Sequence, residues 1–276
     1  MYEIQNMDQK LAEKLLHEHS DMMFAGVTAG NNSGRVWVDD PADPVLAIVW
    51  SDGLQDFHFM GSCIDRTNIG QLKSFIDGPL INFLKAKRLN YFEFSSDREE
   101  LYPDIFKILS DREIESNLQF VYKSKPDSQI GGNITFPKPY CLHYIDRSFI
   151  SSITNDLTVK NPEFLIEYIN QFWGSKENFL RLGYGTAAVY ENEIVSFTIT
   201  SALYRQTFSL GVETLEQHRR KGLAAALAKA LQKTLYAKGF NVWWDCMDTN
   251  AASQKTAEST GLIFDHNYKV CWFRFK

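Results

Sequence analysis

An α+β fold, a mixed and mostly antiparallel sheet flanked by helices, is expected for the C-terminal half of this 276-residue chain, joined to an α/β N-terminal lobe. Three observations lead there. Residues 184–190, 194–201 and 206–214 are rich in apolar and β-branched residues between turn signals, so they read as three hairpin-linked strands. The segments after them read helix, strand, helix, strand, which requires a parallel crossover inside the sheet. The composition, 44% hydrophobic and 23% charged, is that of an ordinary globular protein and excludes disordered or collagen-like chains.

In the C-terminal half, Asn161-Pro162 opens a helix that runs to residue 173, with proline at the tolerated first position. The strands at 184–190 and 194–201 are joined by the turn Glu191-Asn192-Glu193. The long helix at 221–238 stops at Gly239. A strand at 242–246 is rich in aromatic and β-branched residues. A helix at 251–260 is closed by Gly261, and residues 262–275 supply one or two last strands.

The N-terminal half is less regular. Leu11, Leu15 and Leu16 sit at helical spacing within residues 8–19. Residues 25–44 are turn-rich and read as an exposed loop with one short strand. Strands at 45–50 and 57–61 flank the turn Ser51-Asp52-Gly53. A helix at 80–87 is started by Gly78-Pro79, residues 91–94 form a short strand, and a helix at 97–109 takes Asp97 as its cap. Residues 123–140 gather prolines and a Gly131-Gly132 pair, so the domain boundary is placed between 1–130 and 131–276. Each half offers paired strands, a helix, a strand and another helix. Identity between them is too low to show a repeat, and duplication stays open.

The formal net charge of −5, from 29 basic and 34 acidic residues, argues against nucleic acid or a polybasic membrane surface as partner. No apolar run approaches the ~18 residues that span a bilayer, and no secretory leader is visible at the N-terminus, so the cytoplasm is expected. Cys63, Cys141, Cys246 and Cys271 have neither disulfide-framework nor zinc-site spacing; four reduced, buried thiols and no metal are expected. A homodimer is left open.

The chemically informative segment is residues 212–228, VETLEQHRRKGLAAALA. A strand enters a turn holding His218, Arg219, Arg220 and Lys221, and Gly222 then opens a helix of small residues. Cations at a helix N-terminus oppose the macrodipole, by roughly 0.3–1 kcal/mol each, and glycine is more at home past a helix end. Both oddities vanish if an anion occupies the turn, where free N–H groups and the side-chain cations would hold a pyrophosphate. The alternative is a solvated basic turn before a surface helix. In a second segment, Asn250 and Ser253 open the helix after the next strand, and Ala257, Gly261 and Leu262 follow.

These residues resemble the GNAT superfamily of acetyl-CoA-dependent N-acetyltransferases. Its acyl-CoA signature Q/R-x-x-G-x-G/A is matched by Arg219, Gly222 and Ala224. A later signature, N-x-x-(A/S)-x₇-G-(F/L), is matched by Asn250, Ser253, Gly261 and Leu262. The resemblance covers roughly residues 140–276. The layout of the whole chain is similar to a bacterial two-lobe group whose N-terminal lobe is a degenerate copy, akin to zwittermicin-resistance-type acetyltransferases.

The resemblance implies acetyl-CoA as co-substrate. Backbone groups of Val212 and Thr214 would bind pantetheine like an added strand. Amides from Arg219 through Arg220, Lys221, Gly222 and Leu223 to Ala224 would hold the pyrophosphate, and Asn250 and Ser253 would lie near the thioester. It implies direct attack by a primary amine of a small molecule, with no metal and no covalent intermediate. A protein N-terminus as acceptor, or a non-catalytic acyl-CoA-binding module, are the alternatives. For the base, Asp245 is preferred, on the strand where ribosomal-protein N-acetyltransferases of the superfamily place a glutamate. Trp243 on the same strand face is expected to desolvate it and raise its pKa. Glu213 is the rival base, and His143 and His218 are weaker candidates. The tyrosine many members use as acid is Ala257 here, which leaves Ser253, or Tyr236 or Tyr268 if the fold brings them in. Trp37, Trp50, Trp173, Trp243 and Trp244 read mostly as core.

Overall fold

The computed structural model describes residues 1–5, 7–17, 19–65, 69–125, 127–130, 134–155 and 158–276. Contacts divide the chain into two units, Met1–Gln119 with Asn267–Lys276, and Phe120–His266. The junction expected from the linker composition is at 130/131; the division by contacts falls within the strand Glu115–Lys123, between Gln119 and Phe120, and the last ten residues return to the first unit.

Unit 1 begins with β1 (Tyr2–Ile4), α1 (Gln9–Leu15), α2 (Met22–Thr28), β2 (Gly34–Val38), β3 (Leu46–Ser51) and β4 (Asp56–Gly61). It continues through α3 (Ile69–Phe75), a π-helical turn (Ile76–Leu80), α4 (Ile81–Ala86), β5 (Tyr91–Ser96), a 3₁₀ turn (Glu99–Leu101) and α5 (Tyr102–Ile108). Strands β1 to β4 form an antiparallel meander, and β5 lies parallel to β4. Phe57, Phe59, Phe92 and Phe94 meet on one side of this sheet with Trp37 and Trp50, and all are buried.

Unit 2 repeats the order. After β6 (Glu115–Lys123) come β7 (Cys141–Tyr144), α6 (Arg147–Asn155), α7 (Pro162–Trp173), α8 (Lys176–Leu182), β8 (Gly185–Tyr190), β9 (Glu193–Tyr204) and β10 (Thr207–Thr214). A 3₁₀ turn (Glu216–His218) leads to α9 (Leu223–Ala237), β11 (Asn241–Met247), α10 (Ala251–Ser259) and β12 (Ile263–Arg274). Strands β7 to β10 are antiparallel, and β11 is parallel to β10. Each unit thus has a meander, a helical crossover, a parallel fifth strand, a helix and a sixth strand. In unit 1 the sixth strand is the end of β12, where Val270–Arg274 pair antiparallel with β5. In unit 2 it is the end of β6, next to β11.

Several expectations need correction. Residues 25–44 are not an open loop: α2 and β2 occupy much of that stretch, and α2 is buried throughout. Gly78-Pro79 does not start a helix but lies within the π-helical turn linking α3 to α4, whose wider i→i+5 spacing tolerates the missing proline N–H. Asp97 caps nothing. Its side chain is 2% exposed and accepts from Ser20 Oγ at 2.6 Å, with His17 Nε2 at 3.3 Å and His58 Nε2 at 3.7 Å. A buried carboxylate needs such partners, and that need outweighs the cap. Of the one or two strands expected over 262–275, the structure has one, Ile263–Arg274. Cys63 and Cys141 are exposed; only Cys246 and Cys271 are buried. Gly131 and Gly132 fall outside the described residues. The five expected tryptophans are all buried.

Candidate active site

The pairing of β10 with β11 is short. Thr207, Phe208 and Ser209 face Asn241, Val242 and Trp243, and there the parallel ladder stops. The register of β10 on β9 shifts between Ser209 and Leu210, the mark of a β-bulge, which turns a strand aside locally. Beyond it β10 continues on β9 to Thr214 without β11. The result is a fork.

The free edge of that fork can be assigned. Leu215 N–H donates to Val195 C=O at 2.9 Å. Hydrogen bonding alternates along an antiparallel pair, so Glu213 and Gly211 also bond toward β9, and the N–H and C=O of Val212 and Thr214 point into the fork. The Thr214 carbonyl is already taken by Arg219 Nε at 3.1 Å. The remaining three groups form an unpaired strand edge.

At the mouth of the fork stands the start of α9. Gly222 is its N-cap residue at φ +77°, and no side chain caps the helix. Arg220 also has positive φ, +60°. The first-turn amides of Leu223, Ala224 and Ala225 therefore have no partner from a capping side chain, and a helix start in this condition attracts anions. A Cβ built on Gly222 would meet nothing within 4 Å. Arg219, Arg220, Lys221 and Gly222 are exposed, with Lys221 Nζ 5.8 Å from the Tyr140 ring centroid.

One cleft of about 660 Å³ gathers Val212, Glu213, Thr214, Arg219, Arg220, Gly222, Leu223, Ala224, Asn250 and Ser253, together with Trp244. Sequence reasoning did not assign Trp244 to this cleft. Its indole N–H donates to Ser253 Oγ at 2.9 Å. Asn250 is the N-cap of α10, accepting from Ser253 N–H at 3.1 Å, so its side chain has a structural task of its own. Ala257 is fully buried.

The two carboxylates lie on the other face. Glu213 alternates with Val212 and Thr214 along β10. The residue is exposed overall, yet partial desolvation pushes its carboxyl up, with Arg219 opposing. Asp245 accepts from Trp243 Nε1 at 3.2 Å, so the expected indole contact is a hydrogen bond rather than an apolar lid. Tyr168 of α7 reaches the same face. A Cβ on Gly211 would fall 2.2 Å from its hydroxyl, and its ring packs on Phe197 with centroids 5.0 Å apart. Nothing local in the sequence marks Tyr168; only the packing of α7 on β9 brings it here.

Other candidates go elsewhere. His218 does line the cleft, but it is buried with its Nδ1 3.0 Å from the Tyr140 hydroxyl; His143 packs beside Phe149 away from it. Tyr236 is bonded to Ser124, and burial pushes its hydroxyl up to about 12. Tyr268 belongs to unit 1 and donates to Asp21 at 2.6 Å.

A family model described as GNAT acetyltransferase matches residues 13–271. The chain belongs to the GNAT acetyltransferase family. It is accordingly an acyltransferase, and its α+β architecture is the GNAT fold. A Bacillus subtilis (strain 168) protein named uncharacterized N-acetyltransferase YdfB is 25% identical over 248 residues, covering 86% of this chain and 84% of its own. A GCN5-related N-acetyltransferase-like protein from Streptococcus suis 89/1591 has the same fold at TM-score 0.67 and 19% identity, over 98% of this chain and all of its own. A tandem GNAT protein from the clavulanic acid biosynthesis pathway aligns at TM-score 0.59 and 12% identity, over 95% of this chain and 91% of its own. The likeness to a tandem architecture extends through unit 1, in keeping with the repeated strand order. Among the described residues no helix is long and apolar enough to cross a membrane.

Proposed function

We propose that this acetyltransferase moves the acetyl group of acetyl-CoA to a primary amine of a small molecule by direct attack within a ternary complex. The observation that carries the reading is the fork, an unpaired strand edge leading to an uncapped, basic helix start. Pantetheine is a linear amide chain, and Val212 and Thr214 offer it the hydrogen bonds of a missing strand. The pyrophosphate meets the amides of Leu223, Ala224 and Ala225, with Arg219, Arg220 and Lys221 adding charge-assisted contacts. Asn250 and Ser253 line the arm from α10.

The thioester then lies toward the closed end of the fork, where the Val212 N–H can stabilise the developing oxyanion. An amine arrives as its ammonium and must lose a proton before it attacks. Of the two carboxylates, Glu213 is the better base, because partial desolvation raises its pKa above the ordinary glutamate value; this reverses the preference for Asp245 drawn from sequence alone. Ser253, whose oxygen accepts from the Trp244 indole and whose hydroxyl also meets the Cys246 thiol, is the hydroxyl placed to follow the departing sulfur. Most of the rate comes from holding two substrates in one geometry.

In unit 1 the corresponding strands stay joined to the end of β5, with Phe59 opposite Ser96, and the His58 ring nitrogen Nδ1 lies 2.7 Å from Ser95 Oγ across them. The segment after β4 also lacks R-x-x-G-x-A. Unit 1 is therefore a GNAT-like copy without an acyl-CoA fork.

The test pairs calorimetry against acetyl-CoA with thiol release over a panel of small amines and peptides. Binding with turnover of small amines is expected. Turnover confined to peptides would move the acceptor to protein N-termini. Binding with no turnover would make the chain an acyl-CoA sensor.

A further inference from the structure

We propose that His218 is a further donor to the pyrophosphate of acyl-CoA, its Nε2–H reaching a phosphate oxygen at the start of α9, and that Tyr140 is the positioning residue that sets the tautomer and tilt of its ring. This rests on the transferase reading above and adds a specificity residue to the same site, one that separates phosphate-bearing thioesters from phosphate-free ones.

The placement comes first. His218 closes the 3₁₀ turn Glu216–His218, and its N–H donates to Leu215 C=O at 2.9 Å. It therefore stands immediately before Arg219, Arg220, Lys221 and Gly222. It lines the cleft together with Arg219, Arg220, Gly222 and Leu223, although only 7% of it is exposed. Tyr140 meets the ring edge-on with centroids 5.6 Å apart, Tyr190 packs on it at 5.6 Å, and the Tyr140 hydroxyl is 3.0 Å from Nδ1. Neither tyrosine is among the residues that line the cleft, so the ring is held from behind. Nε2 lies across the ring from Nδ1 and is thus turned toward the cleft, and no described residue bonds it. A polar atom set this deeply calls for a partner, and the cleft is where one can come from.

The chemistry follows. A neutral imidazole carries one N–H and one bare nitrogen. A phenol, with a pKa of about 10, is the natural donor to the bare one, so Tyr140 O–H pairs with Nδ1 and leaves the proton on Nε2. Protonation of the ring keeps Nε2–H in place as well. Only the remaining tautomer would turn a lone pair on the cleft, and an incoming anion opposes it. Packing and one hydrogen bond already fix the ring, so little freedom is lost when Nε2–H meets a phosphate oxygen in a charge-assisted bond. Arg220 and Lys221, by contrast, are exposed side chains that must be ordered first, and Arg219 already gives its Nε to Thr214 C=O. Placed in this way His218 serves the phosphate end of the donor rather than the thioester, and it acts as a donor and not as a base.

The experiment uses the full chain, with calorimetry against acetyl-CoA and 3′-dephospho-acetyl-CoA, and ligand-observed NMR with S-acetylpantetheine, which carries no phosphate. His218→Phe keeps a ring between Tyr140 and Tyr190 and loses both nitrogens. It should weaken the two phosphate-bearing donors alike by about 10-fold or more, the worth of one charge-assisted hydrogen bond, and leave S-acetylpantetheine within twofold. His218→Gln, whose amide N–H reaches as far as Nε2, should recover most of the loss; His218→Asn, which reaches only as far as Nδ1, should not. Tyr140→Phe leaves His218 in place and should weaken the phosphate-bearing donors in the same sense and to a smaller degree. Failure of wild type to bind acetyl-CoA would remove the transferase reading itself, and this inference with it. Full acetyl-CoA affinity in His218→Phe, or in Tyr140→Phe should the His218 variants not fold, would overturn the role of His218 and leave the main-chain cradle standing. An equal loss for S-acetylpantetheine, or equal affinities in His218→Gln and His218→Asn, would overturn it by making the residue structural. A loss confined to acetyl-CoA would overturn the pyrophosphate as its target.

Discussion

Gly222→Ala puts the anion cradle to a quantitative test, because the structure supplies its own control. Gly222 and Gly239 bracket α9 at φ +77° and +80°, and a Cβ added to either meets nothing within 4 Å. Alanine at each must therefore bear the same left-handed strain, about 1–2 kcal/mol. At ~2–4 °C per kcal/mol for a domain of this size, both variants should melt about 2–8 °C lower. Their ligand behaviour should part. The methyl at residue 222 stands where a phosphate must approach the helix amides, and losing one charge-assisted hydrogen bond costs about 1.5–3 kcal/mol. That is about 10- to 150-fold in Kd. Calorimetry should show this weakening for Gly222→Ala and none for Gly239→Ala. Equal acetyl-CoA affinities in two folded variants with matching melting temperatures would refute the main-chain cradle.

Further outcomes are expected. Glu213→Gln should lower kcat by about 10²- to 10⁴-fold and leave acetyl-CoA affinity unchanged. In wild type, activity should fall on the acid side through an ionisation above the ordinary ~4.3 of glutamate, since Glu213 must be ionised to act and burial raises its pKa; a profile flat down to pH 4 would speak against it. Asp97→Ala should cost about 3–5 kcal/mol, as for other broken buried pairs, read by urea unfolding. Burial pushes the Asp97 carboxyl up, yet His17, His58 and Ser20 outweigh it and hold it far below the usual range. The stability it contributes is then whole above the unfolded pKa of ~3.9 and drains away as pH drops below that value, a slope the variant should lack. In the native protein a thiol reagent should label Cys63 and Cys141 quickly, and Cys246 and Cys271 only on unfolding.

Much of unit 2 was legible because its elements are punctuated locally. Pro162 begins α7, where its missing N–H costs nothing, and Gly239 after α9 and Gly261 after α10 take positive φ, which glycine adopts cheaply. The segment proposed to hold acyl-CoA stood out for a similar reason: its residues lie in one strand, one turn and one helix start. Unit 1 was harder. The helix α2 hides in a segment rich in turn residues, and Asp97 looks like a cap until the fold brings His17 and His58 to it from distant elements. The place of Tyr168 was beyond reach of the sequence. Tyr168 looks like any aromatic residue at helical spacing; it acquires its place only through Gly211, 43 positions later, where the absence of a side chain makes room for its hydroxyl.

The most direct measurement is a crystal structure with acetyl-CoA. The account predicts pantetheine running between β10 and β11, bonded to Val212 and Thr214, with both phosphates over the amides of Leu223, Ala224 and Ala225. Density for the cofactor in unit 1, or on unit 2 anywhere other than this fork, would contradict it.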